Sequence, residues 1–205
     1  MNAGERDLIR LSAALAARDK TAAAEAMQSA LDTADPIAVE EAILQTYLFL
    51  GFPTCLNGFA MWRRLSGRPP EPAAPIDAEA WEIRGAEVCG AVYAGQYERL
   101  RDNIRALSAD MERYMVIEGY GKVLGRPGLA LDVRELCIVA VLAVIRMPKQ
   151  LYSHLRGALN VGASRERIEG ALRLAENHLD EDDIRLAWRT WEKVVGRAES
   201  GSEAL

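Results

Sequence analysis

A histidine and a carboxylate carry the chemistry legible in this sequence. On a helical wheel of residues 148–161, Leu151, Leu155, Ala158 and Leu159 form an apolar stripe. His154 lies on the edge of that stripe beside Gly157 and so points inward, and Gln150 shares the edge one turn earlier. Lys149, Ser153, Arg156 and Asn160 fall opposite, toward water. Glu135 stands in the preceding element, just ahead of an unbroken apolar run. A histidine whose tautomer and charge are set by a carboxylate delivers or accepts a proton near neutral pH. Gln150 can hydrogen-bond but cannot transfer a proton at ordinary pH, so it suits orienting His154 or a ligand. Each residue also has a plainer reading. Glu135 follows Asp132 by three, the spacing of a capping box, and could serve only to cap a helix. A histidine on a helix edge is more often a satisfied core residue than a catalyst. The sequence leaves both alternatives open.

The elements that must position this pair have clear boundaries. Gly125-Arg126-Pro127-Gly128 breaks any regular structure, and Asp132 then starts a helix. From Leu136 to Ile145 every side chain is apolar. Ten residues cannot span a bilayer, so the expectation is a helix buried on all sides at the middle of a bundle. Pro148 stops it and suits the first turn of the next helix, Gly162 ends that one, and Ser164 caps its successor.

Combined, these pieces resemble the carboxymuconolactone decarboxylase family, which includes the alkylhydroperoxidase D-like proteins. The resemblance rests on GRPGL at 125–129, Arg134-Glu135-Leu136, the apolar helix, and His154-Leu155-Arg156-Gly157-Ala158-Leu159 followed by Gly162. It implies an all-α, alkylhydroperoxidase D-like helical bundle. In the peroxidase branch a Cys-x-x-Cys pair stands between the glutamate and the histidine, and the matching places here are Met147 and Gln150. Both thiols are missing, so the resemblance points to the non-redox branch, and Gln150 departs from the carboxylate often found there. The activity implied is decarboxylation or proton transfer on a small lactone or carboxylic acid. His154 would be the acid and Glu135 its partner, Gln150 would donate to the substrate, and an arginine would hold the substrate carboxylate. Arg126 and Arg134 are the candidates for that last role, with a solvated turn residue and a helix-start salt bridge as the plainer readings. Tyr114 and Tyr120 either line the pocket or pack, Tyr152 falls at the boundary of the wheel, Met147 fills core, and Cys137 should be inert in its apolar helix. Two further classes stand beside the lyase: a non-catalytic helical binding or scaffold protein, and a thiol peroxidase, which the missing cysteine pair disfavours.

Elsewhere, residues 5–31 read as two short helices around Lys20, and Asp35-Pro36 is an N-cap with proline at the first position. A helix from Ile37 to Leu50 should end at Gly51-Phe52-Pro53, with another from Thr54 to Leu65. Residues 66–77 hold four of the eight prolines and form a linker. Helix resumes after Asp77, one long segment runs from Gln96 to Ile117, and Arg165 to Val195 makes one or two helices before a tail at 197–205. The segments flanking the linker look like copies of one unit. Arg6-Asp7-Leu8 meets Arg134-Glu135-Leu136 and Ala30-Leu31 meets Ala158-Leu159 at an offset of 128, while Val39-Glu40 meets Ile168-Glu169 and Trp62 meets Trp191 at 129. The organisation expected is a degenerate repeat at 1–65, connecting helices at 78–118 and a second repeat at 119–196. His154 corresponds to Ala26 and Gln150 to Ala22, so one site per chain follows, with Phe52 in the apolar wall supplied by the first copy.

Composition bounds the partners. Half the residues are hydrophobic and 27% are charged, and the net charge of −5 argues against nucleic acid and anionic membranes. Cys55, Cys89 and Cys137 have no metal or redox spacing, which suits a reducing cytoplasm, and no signal peptide is visible. No cofactor and no metal are expected. A small-molecule acid or lactone is the expected ligand, and the resemblance implies a homo-oligomer, a dimer or trimer.

Overall fold

The computed structural model describes the backbone of residues 1–202 and the side chains of residues 1–197. Among these residues there are helices and connections but no strand, as the sequence leads one to expect. The first four helices are α1 (Ala3–Ala17), α2 (Lys20–Thr33), α3 (Pro36–Gln45) and α4 (Tyr47–Ser66). A proline-rich stretch without regular structure leads to α5 (Ala78–Tyr93), α6 (Tyr97–Leu107), α7 (Ala109–Tyr114) and a π-helix, Met115–Leu124. The last four are α8 (Leu131–Val144), α9 (Pro148–Asn160), α10 (Arg165–Glu176) and α11 (Glu181–Ser202). Residues 203–205, the end of the expected tail, lie outside the described residues.

Local chemistry explains most of the starts. Asn2 and Glu5 form a reciprocal capping box on α1, and Asp19, Asp35, Asp77, Ser108 and Ser164 each accept a backbone N–H at the start of their helix. Pro36 and Pro148 take the first position of α3 and α9. Gly51 has φ 76 and ψ 168, so the chain breaks where Gly-Phe-Pro predicts, although α3 itself already ends at Gln45.

Helices α1 and α8 meet at the centre of the bundle. Every residue from Val133 to Ala143 is buried, so the apolar run is enclosed on all sides except at its end, where Val144 and Ile145 are half-buried and Ile145 already caps the helix. Helix α1 also packs on α2 and α10, while α9 leans on α8, α5 and α11. Residues 1–66 and 131–202 are therefore interleaved rather than set side by side. A buried ion cluster ties them together. Glu41 of α3 accepts from Arg134 Nη2 and Arg126 Nε, both at 2.8 Å, and Arg134 also donates to the carbonyls of Arg126 and Leu129. The Gly-Arg-Pro-Gly turn is thus gripped from both halves of the chain. Gly128 within it has φ 95, and a Cβ there would press on Ile37.

The long segment at 96–117 is divided: Ser108 is extended, caps α7, and the chain then widens into the π-helix. That wider coil packs on α5 through glycines. A Cβ on Gly121 would overlap the Trp81 carbonyl, a Cβ on Gly85 would overlap that of Val116, and Arg84 Nε donates to the Gly121 carbonyl at 2.7 Å. The capping box expected at Asp132 is absent. Helix α8 begins one residue earlier, Ala130 caps it without a side-chain bond, and Asp132 accepts from Arg167 instead. No described helix is long and apolar enough to cross a membrane.

Candidate active site

Glu135, released from capping, occupies the first turns of α8 with its side chain wholly buried. Its Oε2 lies 2.8 Å from Nδ1 of His154, which projects from the middle of α9 and is itself only 8% exposed at the side chain. The pairing depends on a missing side chain. A Cβ on Gly157, one turn beyond His154, would sit 2.7 Å from Val92 Cγ1 and 2.8 Å from Glu135 Oε2. Gly157 therefore lets α8 and α5 close on α9, and Asn160 fastens that seam by donating to the Val92 carbonyl at 2.8 Å.

The electrostatics are unusual for a core. The other oxygen of Glu135, Oε1, is buried with no hydrogen-bond partner among the described residues. Such an atom costs about 1–3 kcal/mol when orphaned, so it needs a reason to be there. With Glu135 ionised, Nδ1–H donates to it, and Nε2 is left as the ring nitrogen that can take or give a proton. No hydrogen bond reaches Nε2 among the described residues. Phe49 stands edge-on to the imidazole with ring centres 5.9 Å apart, and Tyr93 does the same at 6.5 Å. Tyr120 donates from its hydroxyl to that of Tyr93 at 3.2 Å. Burial pushes both phenols well above their ordinary range, and the nearby Glu135 carboxylate adds to the effect.

Of the residues anticipated from sequence, Glu135, His154 and Tyr120 come together. The others do not. Gln150 is exposed at the first turn of α9, because the wheel places it at the end of the helix where the apolar neighbours have run out. Met147, read as core filler, is 47% exposed. Arg126 and Arg134 are bound to Glu41, which supplies the carboxylate they were expected to find on a substrate. Phe52 is 66% exposed and stacks on Tyr47; the phenylalanine that reaches the imidazole is Phe49, just before the Gly51 break. Tyr114 is exposed and does not line the site. Sequence reading missed Phe49 and Tyr93, which belong to other helices and carry no spacing relation to His154. Gly157 was visible as a neighbour of His154 in the wheel, without a hint of what it admits.

Outside Tyr93 lies a cleft of about 270 Å³. Arg99, Arg156, Asn103 and Asn160 face it together with Tyr93, and no acidic residue does. Arg99 and Arg156 make no ion pair among the described residues. The three cysteines are free and buried. Burial pushes the thiols of Cys89 and Cys137 up to about 12 and raises that of Cys55, so none is poised as a thiolate. Among the described residues no three His, Cys, Asp or Glu side chains gather as metal ligands.

Comparison with known proteins falls on this region. Residues 110–192 match the carboxymuconolactone decarboxylase family. A 4-carboxymuconolactone decarboxylase of Acinetobacter baylyi is 28% identical over 71 residues, 35% of this chain and 53% of that protein. Peroxisomal protein 2 of Schizosaccharomyces pombe is 28% identical over 145 residues, 67% of this chain and 66% of that protein. The chain thus spans about half of one relative and just under two thirds of the other.

Proposed function

We propose that the protein transfers a proton to a small lactone or carboxylic acid in a decarboxylase-like reaction, a reading supported by the match of residues 110–192 to the carboxymuconolactone decarboxylase family. The observation that carries this reading is the 2.8 Å contact of Glu135 with His154 beside the rings of Phe49 and Tyr93. The carboxylate fixes Nδ1 and leaves Nε2 to act. In the lyase form, the bond from carbon to the leaving carboxylate breaks and its electron pair moves into the substrate's own conjugated carbonyl. Carbon dioxide departs, and Nε2–H of the imidazolium returns a proton to carbon. His154 then regains its proton from solvent, while Glu135 stabilises the charged ring. Arg99 and Arg156, in the cleft outside Tyr93, are the cations placed to hold a substrate carboxylate in place of Arg126.

A thermal-shift and turnover screen of wild type and His154→Ala against lactones, ring-cleavage acids and hydroperoxides tests it. A shift from one acid class, lost in the variant, supports the site. No shift and no turnover across the panel moves the assignment to a second reading, a non-catalytic binding protein of the same fold. The nearly sealed imidazole, the exposed Gln150 and a relative whose name carries no reaction favour that second reading. A thiol peroxidase is disfavoured, since neither cysteine place is filled and the three thiols are held neutral.

The same reading includes a tandem repeat, with α1–α4 and α8–α11 as diverged copies. Trp62 Nε1 donates to Glu40 Oε1 at 3.3 Å, and Trp191 Nε1 to Glu169 Oε1 at 3.2 Å. Arg18 and Arg146, 128 apart, adopt left-handed φ values of 59° and 61° at matching helix ends. A cytoplasmic homo-oligomer completes the proposal. Its contact would lie along α6 and α7, where no residue of α6 is buried and Leu107, Met111 and Tyr114 are exposed. Light scattering of wild type against Leu107→Glu tests that assignment.

A further inference from the structure

Matching positions in the two halves enclose very different volumes. Where α8 turns into α9, a space of about 10 Å³ remains, closed by Leu142, Leu151 and Leu186 and bridged by Arg146 to Asp183 at 2.6 Å. At the offset of 128–129 residues the same places hold Ala14, Ala23, Asn57, Arg18 and Thr54. Two leucines have become alanines, the third has become asparagine, and the acid opposite the arginine has become threonine. A cavity of about 480 Å³ opens there, between the α1–α2 turn and α4. It is a cleft open to solvent rather than a void in the core: Arg18, Lys20, Asn57 and Arg64 at its rim are exposed, while Ala14, Leu15, Ala23 and Gly58 at its floor are buried. Its size falls within the range of small-molecule sites.

Its lining specifies what would fill it. Leu15, Leu50, Met61 and the two alanines give an apolar floor, while Arg18, Lys20 and Arg64 stand around it. None of these three cations makes an ion pair or side-chain hydrogen bond among the described residues. The single acid in the lining, Asp19, is already engaged: Oδ1 caps α2 through Ala22 N–H at 3.0 Å, and Oδ2 faces His178 at 3.9 Å. An apolar floor under three uncompensated cations suits an apolar chain with one anionic head.

We propose that this cavity is a second ligand site, separate from the Glu135–His154 pair, and that it takes an amphipathic carboxylate of the medium-chain fatty acid kind. The comparison of matching positions rests on the tandem-repeat reading above; the cavity and its cations stand without it, and the test separates the two sites. Titration calorimetry of the full chain with decanoate, below its micellar concentration, should give one ligand per chain. Decanol, with the same tail and no charge, should bind at least tenfold more weakly. Two variants carry the second half's residues into the first. Ala23→Leu fills the floor, and Thr54→Asp, at a half-buried position, gives Arg18 the partner that Arg146 has. Each should weaken decanoate binding at least tenfold, and Thr54→Asp keeps the test open if Ala23→Leu fails to fold. His154→Ala should bind decanoate as wild type does. No heat with decanoate overturns the proposal, as does equal affinity for decanol. Binding lost in His154→Ala but kept in Thr54→Asp would place the ligand at the other site and also overturn it. If light scattering shows that the cavity is covered by a second copy of the chain, and decanoate neither binds nor dissociates that assembly, the site is an interface and the proposal fails.

Discussion

In the tandem repeat proposed above, Asp7 in α1 and Glu135 in α8 stand at matching places, yet one carboxylate is engaged through both oxygens and the other, among the described residues, through one. Asp7 Oδ2 accepts from Ser29 at 2.6 Å and Thr33 at 2.8 Å, and Oδ1 meets Arg10 at 3.5 Å. Glu135 has His154 alone and keeps Oε1 orphaned. The counterpart of Ser29, 128 residues on, is Gly157, so the first half places a hydroxyl on its carboxylate where the second half removes a side chain to let histidine approach. A carboxylate saturated by its neighbours stabilises the helix pair it joins. One left half-saturated lowers stability in exchange for a group free to respond to a charge change on the imidazole. Burial is common to both acids; what separates them is the number of donors each carboxylate meets.

The comparison can be broken at several points. The two buried tryptophans should behave alike if the halves share a plan: Trp62→Ala and Trp191→Ala should each cost about 3–5 kcal/mol in urea unfolding. A near-zero effect of either would undo the equivalence. Gly157→Ala comes next. Its methyl must displace Val92 or Glu135, so a loss of about 1–3 kcal/mol is expected together with loss of any turnover. Ser29→Ala at the matching place should lower stability by about 1 kcal/mol and leave turnover intact. The acids themselves should then diverge. Asp7→Asn should destabilise by about 1–2 kcal/mol, since it turns an acceptor of several bonds into a partial donor. Glu135→Gln should leave the melting temperature level or raised while abolishing proton transfer. Equal losses in both variants would make Glu135 one more structural acid.

The smallest expected effect is in the thiols. Cys89 and Cys137 are held neutral with folded values of about 12 against an ordinary value of 9.0. A raised folded value contributes stability that is complete below the unfolded pKa and falls as pH climbs toward the folded one. Urea midpoints should therefore decline between pH 9 and 12, and less so in Cys89→Ala. Labelling by a thiol reagent at pH 8 should appear only on unfolding. Rapid labelling of Cys137 in the folded protein would contradict its burial.

The sequence made the helical class, the central apolar helix and the caps at Asp35 and Ser164 legible, because each is written in residues close together along the chain; it singled out Glu135 and His154 without showing that they meet. The aspartates and serines before helices, and the two prolines inside their first turns, carry local chemistry that tertiary packing did not override. Where it failed, the information was distant. Whether Glu135 caps a helix or meets a histidine depends on Gly157 admitting α8. Whether Arg126 greets a substrate depends on Glu41, 85 residues earlier. The π-helix was hidden because its widening comes from glycine contacts with α5, and apolar spacing alone resembles that of an ordinary helix. The choice of Phe52 rests on the Gly51-Phe52-Pro53 stretch assigned to the apolar wall of the first copy, and which side of the Gly51 break faces His154 is set by how α4 packs, not by the sequence around it.

The meeting of α1 with α8 has a consequence in time. About 128 residues separate Ala3 from Leu131, and at ~5–20 residues per second the ribosome needs roughly 6–26 s to make them. Throughout that interval one side of α1 lacks the helix that covers it in the finished protein, and only α2, α3 and α4 are at hand. The chain must therefore carry an adhesive helix through most of its own synthesis. Removing α8–α11 leaves that face permanently bare, so a truncated first half should aggregate or engage chaperones rather than persist as an independent domain.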